Sequence, residues 1–109
     1  MSTPLDIAKK IESVIEAIKV EGKRSDDLIQ IKADSMRVYD KAIAVNSAVH
    51  KSHGMAVTMI KDQAKGDASQ LLCEMIVAQE ALKAHFCRLD YLKAQLNGYQ
   101  SINRHLDST

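Results

Sequence analysis

The sequence is poor in the residues that break helices or favour sheets. It has no Trp, one Phe, three Tyr, one Pro and four Gly in 109 residues. Few aromatics and few turn formers, set against ample Ala, Leu, Lys, Gln, Glu and Met, disfavour a sheet and favour helix. Charge of one sign is also lacking: 15 Lys plus Arg against 14 Asp plus Glu give a net charge of +1. Neither half, divided at Gly54, forms a basic arm or an acidic tail, so capture of DNA by the whole molecule's charge is unsupported. No apolar run approaches the roughly 18 residues of a membrane span. The opening Met1-Ser2-Thr3-Pro4 lacks a signal-peptide core, so the expectation is a soluble intracellular protein without a membrane. Two cysteines are too few for a disulfide framework or a cysteine zinc site. What is present is a 46% apolar and 27% charged chain, sufficient to fold as one module of residues 1–109.

Thr3-Pro4 opens a helix: Thr caps, Pro suits the first helical position, and Asp6 complements the positive end. Ile7, Ile11, Val14, Ile15 and Ile18 then share one side and Lys9, Lys10, Glu12, Glu16 and Lys19 the other, giving an amphipathic helix over about 4–21. Gly22-Lys23-Arg24-Ser25 is either a stop or a weak point, and the absence of a following Pro favours continuity into a second helix over 25–52. There Leu28, Ile31, Ser35, Val38, Ala42, Val45 and Val49 alternate by three and four, a coiled-coil stripe. Ile29, Met36, Tyr39 and Ile43 run beside it, which implies two neighbours rather than one. His50-Lys51-Ser52-His53-Gly54 closes the helix with cations and a glycine suited to a left-handed cap. Residues 54–66 read as a loop packed across the end of the bundle. A last helix over 67–106 keeps the three-four alternation through Ala68, Leu71, Met75, Ala78, Leu82, His85, Leu89, Leu92, Leu96, Tyr99, Asn103 and Leu106. These features predict an all-α fold: a long, coiled-coil-like antiparallel hairpin of two to three helices that assembles into an oligomeric bundle. The expected oligomer interface is Leu28, Ile31, Val38, Val45, Val49, Leu82, Leu89, Leu92 and Leu96.

The candidate chemical sites are sparse. Cys73 and Cys87 are too far apart on one helix to bridge, and small buried side chains are the expectation. His50 and His53 could share a metal at i, i+3, but no third ligand stands beside them, and cations at a helix end explain them as well. His85 occupies a stripe position and is expected as a hydrogen-bonded core or interface histidine. Lys65-Gly66-Asp67-Ala68-Ser69 lacks the pattern of a phosphate loop, though a helix N-terminus there could hold an anion. No paired carboxylates, no Ser or Cys with an evident base and no His-Glu motif appear, so neither catalysis nor a cofactor is expected. Lys83, Arg88, Lys93, Tyr99 and Arg104, with Tyr91 and His105 nearby, could contact single-stranded nucleic acid or a partner. A solvated helical face accounts for them equally.

Three stretches carry a resemblance: Tyr39-Asp40-Lys41-Ala42, the segment from Gly54-Met55-Ala56-Val57-Thr58 to Lys65-Gly66-Asp67, and the tail from Leu92 through Tyr99-Gln100-Ser101 to Arg104-His105-Leu106. Over about Ala33 to Leu106 the chain resembles small helical proteins of tailed bacteriophages and prophages. The resemblance implies residence in the cytoplasm of a bacterial host and an accessory role beside DNA recombination or replication. It implies no catalytic residues: Tyr39, Thr58, Lys61, Lys65, Tyr99, Ser101 and Arg104 are motif positions only. The expectation is a non-enzymatic homo-oligomer that binds a phage or host protein. The alternatives are single-strand binding through the C-terminal helix and inhibition of a host defence system.

Overall fold

A computed structural model describes residues 3–107; Met1 and Ser2, where the N-terminal reading began, lie outside them. The fold is an all-α helical hairpin built from α1 (Pro4–Lys23), α2 (Ser25–Ser52), α3 (Val57–Asp67) and α4 (Ser69–Asp107). No helix among the described residues is long and apolar enough to cross a membrane. The contacts gather in two compact units, where the length had suggested one module. The first joins α1 and the chain through Asp26 to α4 from Lys83 onward; the second is Asp27–Leu82.

In the first unit α1 starts as its sequence predicts. The Asp6 N–H donates to Thr3 Oγ1 and the Thr3 N–H donates to Asp6 Oδ2, both at 3.2 Å, a reciprocal capping box ahead of Pro4. Ile7 and Val14 are buried, and Ile11, Ala17 and Ile18 half-buried, against α4. The two run antiparallel: Lys10 lies over Tyr99, Ala17 beside Leu92, and Glu21 beside His85. α1 ends at Arg24, whose N–H donates to the carbonyls of Glu21 and Gly22. Its helical φ/ψ of −83° and −13° let α2 begin at the next residue. The first two helices are thus separated by one residue, where continuity was favoured.

In the second unit α2 ends at Gly54, the one glycine with positive φ among the described residues, at 79°. The Gly54 N–H donates to Lys51 O and the Met55 N–H to His50 O, each at 3.1 Å, the pair of bonds that a left-handed glycine permits. The loop expected over 54–66 is instead largely helix, α3. β-branched Val57 and Thr58 suggested an irregular segment, but they occupy only its first turn. Ile60, Ala64 and Ala68 then repeat every four residues, and this side is half-buried to fully buried, so packing overrides the local preference. Ala68 N–H donates to Ala64 O and Lys65 O, after which α4 begins. All twelve positions of the α4 stripe, Ala68 to Leu106, are buried or half-buried.

Both cysteines were expected inside and both are exposed. Cys87 falls between His85 and Leu89 in sequence, about half a turn away from each around the helix, and Cys73 lines an open groove shared with Leu28 and Ile31 of α2.

Candidate functional site

The expected interface residues divide sharply. On α4, Leu89 is buried and Leu82, Leu92 and Leu96 half-buried, so the chain's own helices take up these side chains. On α2 the inward face lies between the two apolar lines, at Leu28, Ser35, Tyr39, Ala42, Ile43, Asn46 and His50, all half-buried. Asn46 Nδ2 donates to Ala64 O at 3.4 Å. The line beside it remains outside: Ile31 is 54%, Val38 39%, Val45 50% and Val49 44% exposed. Not one of the 28 residues of α2 is buried. Next to this line runs a groove of ≈ 400 Å³ between α2 and α4, lined by Leu28, Ile31, Gln70, Cys73, Glu74, Val77, Ala78 and Ala81. Val77, at 68%, is also exposed. These side chains form an apolar line on the water-facing side of α2.

A second feature is the histidine that its stripe position predicts to be hydrogen-bonded in the interior, with partners the sequence does not name. His85 is fully buried and held at both nitrogens: Nδ1 is 3.0 Å from Glu21 Oε2 and Nε2 is 2.7 Å from Ser25 Oγ. A carboxylate only accepts, so Nδ1–H donates to Glu21, and a neutral ring accepts the Ser25 hydroxyl proton at Nε2. Arg24 Nη1 at 3.6 Å and Arg88 Nε at 3.8 Å flank the same carboxylate. Serine, histidine and carboxylate stand in the order used for acyl transfer. There, however, the imidazole must also reach the leaving group, whereas Nε2 of a 0% exposed His85 meets Ser25 alone. The nearest recess, ≈ 400 Å³ in volume, is lined by Ala17, Val20, Glu21, Arg88, Tyr91 and Leu92, on the glutamate side of the row and away from the serine. The row works as a clamp that fastens the α1–α2 junction to α4. Its signal was present: a histidine in an otherwise apolar stripe requires partners, and Glu21 and Ser25 are one helical turn apart at the level where an antiparallel α1 would meet it.

The remaining candidates are dispersed. His50 Nε2 donates to Asp67 Oδ2 at 2.6 Å, and Gln63 Nε2 donates to Asp67 Oδ1 at 3.1 Å. These two bonds, the histidine's first, hold the Asp67 carboxyl below its ordinary value. His53 is exposed, and no group of three metal-ligating side chains converges among the described residues. Lys65-Gly66-Asp67 is the last turn of α3, a carbonyl end, and the N–H end of α4 follows at Ser69. Lys83, Lys93 and Arg104, all exposed, fall within about 80° of one another around the helix, whereas Arg88 and Tyr99 lie on the other side. Arg88 faces Glu21, Tyr99 lies under Lys10 Nζ at 5.8 Å, and Arg104 Nη2 donates to Ser101 Oγ at 3.3 Å.

The chain therefore presents an all-α hairpin with an exposed apolar line on α2. No family model, curated protein or solved structure matches it.

Proposed function

We propose that the protein is a non-enzymatic, self-associating helical adaptor whose open strip on α2 is its working surface. The carrying observation is that α2 contributes no buried residue while presenting Ile31, Val38, Val45 and Val49 to solvent. Leaving four such side chains half in water forgoes stabilisation of about 25 cal/mol for each Å² that a partner would cover. The near-neutral net charge of +1 favours a protein surface over single-strand binding. The setting, an accessory role to phage DNA recombination or replication, rests on the resemblance of the 54–67 segment and the tail.

Light scattering at tens of micromolar tests the reading, with a single-stranded oligonucleotide added at two salt concentrations. The expected result is a stable oligomer that ignores the oligonucleotide. A monomer overturns self-association, and salt-sensitive co-elution replaces the reading with nucleic-acid binding. Labelling of Ser25 by a serine-reactive phosphonate would overturn the non-enzymatic part.

A further inference from the structure

We infer that the open strip on α2 is covered by the same strip of a second copy, running antiparallel about a two-fold axis at Val38. The inference rests on the self-association proposed above and adds its geometry. Three observations lead to it.

The strip lies about a quarter turn from the inward face of α2: Val38 precedes Tyr39 and Val45 precedes Asn46 by one residue each, and each residue turns the helix by about 100°. A quarter turn is the angle between the two neighbours of a helix in a four-helix bundle. α2 already has one neighbour in α4, and the second position is open on the side of the groove. Two such hairpins closing groove to groove complete the bundle.

The spacing of the strip is symmetric. Ile31, Val38 and Val45 are seven apart, so reversing the helix about Val38 places Ile31 opposite the partner's Val45 and Val38 opposite itself. Apolar residues of similar size meet at these three levels, as a self-complementary two-fold interface requires; Val49 falls opposite the partner's Asp27 and lies beyond the matched stretch.

The charges beside the strip follow the same symmetry. Asp34 and Lys41 share one flank, and reversal about Val38 brings Asp34 within one residue of the level of the partner's Lys41, twice per dimer. A parallel pairing sets this flank against the partner's opposite flank, which carries Ser35 and Ala42 at these levels, so it forgoes both attractive pairs. The alternative of seating α2 against the partner's α4 would oppose the strip with Gln70 and Glu74 beside the apolar Val77, Ala78 and Ala81 of the groove, and would leave the match of Asp34 to Lys41 unused.

The test uses the full chain with Cys73→Ala and Cys87→Ala, both exposed positions, as background. Val38→Cys alone should oxidise to a disulfide-linked dimer of doubled mass. Ile31→Cys alone should not, whereas a mixture of Ile31→Cys and Val45→Cys chains should cross-link. Asp34→Lys should weaken the dimer severalfold, and adding Lys41→Asp should restore it, with helicity by circular dichroism unchanged throughout. Light scattering of the same background separates the two claims. A monomer overturns both self-association and this geometry. A dimer in which Val38→Cys stays unlinked, or in which the charge exchange does not restore association, overturns the geometry alone.

Discussion

His85 is fully buried and holds hydrogen bonds at both ring nitrogens. Truncating it leaves a cavity and strands Glu21 and Ser25 near the interior, two costs that add. His85→Ala should therefore lower stability by about 2–4 kcal/mol, while Ser25→Ala, which removes one bond and leaves the ring paired with Glu21, should cost about 1 kcal/mol. Chemical denaturation of the two variants checks the order. Equal losses would show that the serine, and not the ring, is the essential member of the clamp. Asp67 sets a different expectation. Its carboxyl is held below its ordinary value of 3.8 by the bonds from His50 and Gln63, so it is the ionised form that stabilises the fold. That contribution is complete above the unfolded value and is lost as pH falls through the depressed folded one. The side chain is 39% exposed, and solvent screening keeps the effect small. Thermal melts should show a shallower acid decline below pH 3.8 for Asp67→Asn than for the parent; identical slopes would remove Asp67 from the acid response.

At the scale of elements, legibility followed from how many partners a helix has. α4 packs along one stripe, so its three-four alternation could be read in full, His85 included. α2 carries two apolar lines, and the sequence does not state which of them faces inward: the fold buries the side between them and leaves Ile31, Val38, Val45 and Val49 outside. α3 was missed because Val57 and Thr58 sit in its first turn, ahead of the Ile60, Ala64 and Ala68 spacing that anchors it. The clamp was missed because its members are 60 and 64 positions apart, and only the register of the hairpin brings them together. The glycines separate conformational demand from space. A Cβ would meet nothing within 4 Å at either Gly54 or Gly98, but Gly54 has φ of 79° and Gly98 lies within α4. Gly54→Ala should destabilise by about 1–2 kcal/mol through backbone strain alone, and Gly98→Ala should stabilise by up to about 1 kcal/mol through helix propensity. Paired thermal melts check both signs, and a neutral Gly54→Ala would mean that the cap relaxes without loss.

For the whole molecule, the two exposed cysteines report on what covers the second unit, and they do so without substitution. Cys73 lines the groove beside the α2 strip, whereas Cys87 belongs to the first unit and lies on the flank of α4 away from His85 and Leu89. In a dilute chain both thiols should react rapidly with a maleimide, since neither is enclosed. Raising the concentration into the range where copies pair should slow Cys73 and leave Cys87 unchanged, because closing two grooves on each other removes Cys73 from solvent while Cys87 stays outside the contact. Reactivity is measured against mass in the same samples, so the protection should follow the growth of the dimer. Equal slowing of both thiols would point to assembly through α4 as a whole. A dimer that leaves Cys73 reactive would place the shared surface elsewhere than the groove, and would leave the open strip of α2 to a partner of a different kind.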